Sequence, residues 1–314
     1  MQQPSRIRGV LAPVVTPFTR DLSPDPERYS AHCRWLLGQN CGLAVFGTNS
    51  EANSLSVEER IALLEALLAA GLDPARMMPG TGCCALTDSV RLTQHAVKAG
   101  CGGVLMLPPF YYKDVTEDGL YRHFAEVVER VGDARLRIYL YHIPPVAVVG
   151  ITPQLVERLL KRYPSAIAGM KDSSGDWHNT KTMLDAFAAS GFDVFPGSES
   201  FLLAGMRHGA AGCISATANV NPAAIDRLYQ EWRGVDADLQ QEALNAVRQT
   251  VGQYVMIPAL KQVIARYAND PAWVTVRPPL TELTAAQAQQ VIAGLKQLGF
   301  DMPGIGRVAA QTAL

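Results

Sequence analysis

The chain has 314 residues, 48% of them hydrophobic and 18% charged, which is enough apolar side chain for one large α/β domain or two ordinary ones. Its 28 basic and 29 acidic residues leave a formal net charge of -1, so no broad field draws nucleic acid or an anionic membrane, and a small-molecule ligand is expected. The amino terminus lacks the apolar core of a signal peptide and no later stretch approaches the length of a membrane span, so a cytoplasmic protein is expected.

Short apolar runs alternate with amphipathic segments along the chain, the pattern of repeated βα units and a parallel sheet. The first run, Gly9 to Val15, precedes a helical pattern starting near Pro26. The second, Gly42 to Gly47, precedes a helix announced by Ser56 as cap and Glu59 three positions on. Met77 to Thr81, Gly102 to Leu107, Leu136 to Tyr141, Ala166 to Lys171, Asp193 to Gly197 and Gly212 to Ser215 continue the series, with helices expected near Thr87, Glu117, Thr152, Trp177 and Glu199. Eight strands each followed by a helix make a closed (β/α)8 barrel; a doubly wound open sheet is the alternative, because periodicity carries no information about closure. Beyond Asn221 the strand signal stops, and helices are expected over Asn221 to Trp232, Asp238 to Tyr267 and Thr284 to Leu298. The division expected is a barrel over residues 1–220 that carries the active site and a helical carboxy-terminal extension over 221–314.

Six cysteines lie mostly in or beside apolar segments without CxxC spacing, which suits buried, reduced thiols. The six histidines are scattered, none paired at i, i+4, so neither a metal nor another cofactor is indicated.

In a barrel the chemistry gathers where strands exit into βα loops. Lys171 closes the apolar run Ala166 to Met170 and precedes Asp172-Ser173-Ser174-Gly175-Asp176. Poor solvation there favours a neutral amine able to attack a carbonyl; the competing reading is a lysine that snorkels to water. The second strand exits into Gly47-Thr48-Asn49-Ser50-Glu51, a turn that suits a carboxylate or is simply held by its own side-chain hydrogen bonds. Tyr141 ends the fifth run on the same side as Tyr139, as an acid/base or as a core tyrosine. The fourth exit, Pro108 to Lys113, carries Phe110, Tyr111 and Tyr112, fit to lid the site or enter a neighbouring subunit.

Five landmarks in register make the chain resemble the dihydrodipicolinate synthase/N-acetylneuraminate lyase family of Schiff-base-forming lyases and aldolases. They are Gly47-Thr48-x-x-Glu51, Tyr111-Tyr112 before Gly119-Leu120-Tyr121-x-His123-Phe124, Tyr141-x-x-Pro144, Gly169-Met170-Lys171-Asp172, and Ser215-Ala216-Thr217-Ala218-Asn219-Val220. The resemblance implies that Lys171 forms a Schiff base with a 2-oxo acid, that Tyr141 is the acid/base, and that Thr48 and Asn49 bind the carboxylate, Thr48 also relaying protons. It further implies that Tyr112 completes the relay from an adjacent subunit, that the backbone at Gly197 and Ile214 lines the site, and that the enzyme is a dimer or a tetramer of two tight pairs.

Two positions depart from the family. Where the synthase branch has an arginine two residues after the proline of its tyrosine motif, this chain has Val146, which cannot hold a second carboxylate. Asn49 stands where a hydroxyl residue is usual, keeping an amide donor. The activity expected is reversible carbon-carbon cleavage between pyruvate and an aldehyde. A dehydratase or deaminase of a hydroxylated 2-oxo acid or cyclic imine, a 4-hydroxy-tetrahydrodipicolinate synthase, and a non-catalytic metabolite-binding barrel are the alternatives.

Overall fold

A computed structural model describes residues 6–306. The chain divides into two compact units: one gathers Asp73–Ile214 with the residues up to Gly9, the other Val10–Leu72 with the residues from Ser215 onward. The strands among the described residues are β1 (Gly9–Ala12), β2 (Gly42–Leu43), β3 (Val104–Met106), β4 (Ile138–His142), β5 (Ile167–Asp172), β6 (Asp193–Pro196) and β7 (Gly212–Ile214). Each falls on an expected apolar run, but the run from Met77 to Thr81 forms no continuous strand. It makes a single parallel bridge, Gly80 to Leu105, with Leu105 N donating to Pro79 O at 2.9 Å and Thr81 N to Leu105 O at 2.9 Å. Pro79 has no amide hydrogen with which to extend a ladder.

In the first unit β3, β4, β5 and β6 form a parallel sheet in that order. Parallel neighbours need long crossovers, supplied here by helices at Glu117–Val131, Pro153–Arg162 and Trp177–Phe187. Each begins where a side chain caps it: Thr116 accepts from Gly119 N, Thr152 from Leu155 N and Asp176 from His178 N. The central strands are buried along their whole length, which is why they read as unbroken apolar runs. A Cβ on Gly169 would lie 2.1 Å from Asp193 O and 2.8 Å from the Tyr139 ring. Only glycine there lets β5 close on both neighbours and bring Lys171, two residues on, to the same face.

In the second unit β1 pairs in parallel with β2, Leu11 opposite Gly42 and Ala12 opposite Leu43. Among the described residues six α-helices accompany them, at Pro26–Gly38, Val57–Ala69, Pro222–Glu231, Ala237–Gly252, Met256–Ala268 and Ala285–Gln297. The stretch expected to be helical from Asp238 to Tyr267 is therefore two helices. Pro258 sits in the first turn of the second, where its missing amide costs nothing, whereas inside one continuous helix it would break a bond and clash with the preceding turn. Asn219 ties the end of its loop to the β1 exit, accepting from Val15 N and donating to Pro13 O and Ala216 O at 2.9–3.0 Å.

His32, buried at 4% exposure, stacks on Trp35 and meets the edge of Trp273, with ring centroids 5.6 and 5.2 Å away. Burial lowers the imidazole pKa to about 4, against a smaller upward pull from the Asn219 side chain. Because the folded value lies below the unfolded 6.5, the unfolded state binds the proton first, so stability present above pH 6.5 is lost as pH falls toward 4. Urea unfolding at pH 7 and pH 4 is expected to show a smaller acid loss in His32→Phe, by on the order of 2 kcal/mol. Equal losses in the two proteins would contradict the burial argument.

Candidate active site

Lys171 and Tyr141 are direct cross-strand partners at the ends of β5 and β4. Both are 2% exposed. The lysine Nζ donates to the tyrosine hydroxyl at 3.2 Å and lies 4.3 Å from the ring centroid. Among the described residues this phenol is the one hydrogen-bond partner of the amine. A buried lysine with no carboxylate beside it is not committed to an ion pair; Lys261, the other fully buried lysine, pairs with Glu51. A nitrogen nucleophile within hydrogen-bond reach of a proton-carrying hydroxyl is the equipment of covalent carbonyl chemistry.

The next residues along the same two strands, His142 and Asp172, are also register partners, and alternation turns them to the opposite face. Asp172 lies within β5, which runs one residue past the expected end at Lys171. Its carboxylate accepts from Ser174 N at 2.9 Å, Asn179 Nδ2 at 3.0 Å and Thr180 Oγ1 at 2.5 Å. The strand end bearing Lys171 is thereby pinned to the first turn of the following helix. His142 Nδ1 accepts from Ile151 N at 2.8 Å, so the neutral ring carries its proton on Nε2. Burial lowers the His142 pKa, and the Asp172 carboxylate pulls it back up.

Gly197 leaves β6 with its amide donated to Asp172 O at 2.6 Å, and a Cβ there would stand 2.0 Å from Ser173 Oγ. Ile214 ends β7 fully buried. Tyr111 and Tyr112 are 72% and 74% exposed and meet edge to face. Beyond β4, Pro144–Ala147 forms one helical turn that exposes Val146 at 60%. Lys113 joins the two loops, its ammonium bonded to Phe110 O and, at 3.3 Å, to Ala147 O. Val148 closes the turn at φ 65, a costly conformation for a β-branched residue, held by the hydrogen bond its N–H donates to Pro144 O at 2.9 Å.

Thr48 and Asn49 belong to the second unit, in a 3-10 turn over Thr48–Ser50, and both are half-buried. Gly47 N donates to Ser50 Oγ at 3.2 Å and Ser50 N to Gly47 O at 3.1 Å. These two bonds close the turn on itself.

The model of the dihydrodipicolinate synthetase family matches residues 6–298. The chain belongs to that family. An uncharacterized DapA-like lyase from Chloroflexus aurantiacus is 34% identical over 297 residues, 93% of this chain and 97% of the relative. The crystal structure of dihydrodipicolinate synthase from Agrobacterium tumefaciens superposes with a TM-score of 0.84 at 30% identity, over 93% of this chain and 99% of that one. YagE, a prophage protein of the same family from E. coli K12 solved in complex with pyruvate, gives a TM-score of 0.86 at 27% identity over 94% and 100% of the chains. The fold is accordingly the (β/α)8 barrel with a helical carboxy-terminal extension, and the open-sheet alternative falls away.

Within this family frame, neither His142 nor Lys261 carries a role that the motifs assign. His142 could have been found as the residue after the motif tyrosine, placed opposite the acidic residue after the motif lysine. Lys261 interrupts the apolar face of Met256–Ala268, where every neighbour from Pro258 to Leu260 is buried. A charge at such a position signals a buried partner.

Proposed function

We propose that the protein is a class I lyase that cleaves and forms carbon-carbon bonds between pyruvate and an aldehyde through a Schiff base on Lys171. The observation that carries this reading is the buried Lys171–Tyr141 pair, 3.2 Å apart at adjacent strand ends, in a chain of the dihydrodipicolinate synthetase family. In the cleavage direction the amine condenses with the C2 carbonyl of the substrate and water leaves, giving an iminium. Tyr141 takes the C4 hydroxyl proton, the C3–C4 bond breaks, its electrons enter the iminium, and the aldehyde departs. The enamine left behind is protonated at C3, and hydrolysis returns pyruvate and the free amine.

The family resemblance supports Thr48 and the Asn49 amide as the carboxylate site, with Thr48 in the proton relay and the backbone at Gly197 and Ile214 lining the site. Exposed Tyr112 fits a residue offered to a neighbouring subunit, so the working enzyme is a dimer or tetramer. The division that goes with this reading is a barrel over residues 1–220 carrying the chemistry and an extension over 221–314, of which residues 1–5 and 307–314 lie outside the described residues. The six free thiols suit a cytoplasmic location, and no described helix is long and apolar enough to cross a membrane.

Val146 points to an aldehyde whose far end is apolar, since the Pro144–Ala147 turn carries no cation and Lys113, from the neighbouring loop, is bonded to two carbonyls. Product formation from pyruvate and a panel of aldehydes tests this. Apolar and aromatic aldehydes are expected to exceed those with a distal carboxylate by about tenfold in kcat/KM. Preference for the carboxylated aldehydes would sink the apolar assignment, and absence of product from every aldehyde would sink the lyase reading.

A further inference from the structure

The turn that carries Thr48 and Asn49 is bracketed by two residues other than glycine with positive φ, Phe46 at 61 and Glu51 at 55. Such conformations persist where the surroundings over-determine them. Around Glu51 they do. Its side chain is fully buried, as is that of Lys261, and the ammonium of Lys261 is in ion-pair contact with Oε1. The other carboxylate oxygen accepts from the backbone amide of Arg277 at 3.2 Å.

Both cations are themselves fixed. Lys261 Nζ donates to Thr275 O at 2.8 Å and stands 4.5 Å above the Phe18 ring. The Arg277 guanidinium lies 4.7 Å from the same ring and forks onto Glu59, with further bonds to Ser54 O and Leu22 O. Burial lowers the Lys261 pKa to about 8, and Glu51 pulls it back up. On the other side of the turn, Thr16 Oγ1 donates to Ser50 O at 2.7 Å within the core.

A buried ion pair is a poor device for stability alone, since an apolar pair of the same shape serves as well or better. Its geometry is specific, however. The carboxylate sits one residue beyond the turn and joins it to the Met256–Ala268 helix and to the chain at Arg277.

We infer that Glu51, held by Lys261 and the Arg277 amide, is a positioning residue that presets the Thr48–Asn49 turn to receive the carboxylate of the 2-oxo acid. This rests on the Schiff-base reading above. Preorganised donors bind without paying to be ordered on binding, so loosening the turn weakens recognition of the carboxylate and leaves the amine chemistry intact.

The test is borohydride capture at Lys171 with two probes, pyruvate and hydroxyacetone, a ketone that has no carboxylate. In Glu51→Gln the pyruvate concentration for half-maximal capture is expected to rise about tenfold, while the limiting capture rate and hydroxyacetone capture stay within about twofold of wild type. Parallel loss with both probes, as a merely structural role predicts, would overturn the inference, and so would an unchanged half-saturation in the folded variant. If Glu51→Gln does not fold, Thr16→Val decides, with about threefold weaker pyruvate half-saturation expected and no change overturning it. Wild-type protein that captures neither probe would overturn the Schiff-base reading and this inference with it.

Discussion

Lys171→Met is expected to be a folded protein with turnover reduced roughly ten-thousand-fold or more, because the covalent route has no other nucleophile at that strand end. Methionine is close to lysine in length and shape, and the side chain it replaces is 2% exposed with one hydrogen bond, to a phenol. Removing that amine breaks no ion pair, so the variant should unfold near the wild-type temperature. Steady-state assay beside thermal unfolding checks both halves. A folded variant retaining a tenth or so of wild-type turnover would mean that the chemistry runs without this lysine.

Tyr141→Phe is expected to lose about a hundredfold to ten-thousandfold in kcat while still forming the borohydride-sensitive adduct, only more slowly. The ring stays packed against Lys171, and only the hydroxyl 3.2 Å from Nζ is removed. A proton carrier is needed both to expel water from the carbinolamine and to move the C4 hydroxyl proton, so the loss belongs in kcat more than in KM. Single-turnover kinetics in the cleavage direction separates the two steps. An unchanged kcat would return Tyr141 to the alternative of a packed core tyrosine.

The strands that matter for chemistry were legible because parallel strands covered on both faces leave unbroken apolar runs, as over Ile138–His142 and Ile167–Asp172. Lys171 stood out because it ends such a run. The run at Met77 to Thr81 misled because hydropathy is blind to the amide missing at Pro79, and the run over Asp238 to Tyr267 because periodicity continues across a proline that the backbone does not. Glu51 was visible as a motif letter and Lys261 as a misplaced charge. Their pairing joins residues 210 positions apart in the chain (261 − 51), a distance that only the fold spans. The strain at Val148 was equally out of reach, since nothing in Ala147-Val148-Val149 signals a positive φ.

The central claim, that Lys171 is the carbonyl-capturing nucleophile, is tested most directly by reducing the protein with borohydride in the presence of pyruvate and mapping the modified peptide by mass spectrometry. The expected result is one pyruvate-dependent adduct, on Lys171, with Lys261 unmodified in its ion pair with Glu51. A folded protein that gains no adduct, or gains it on another lysine, would contradict it.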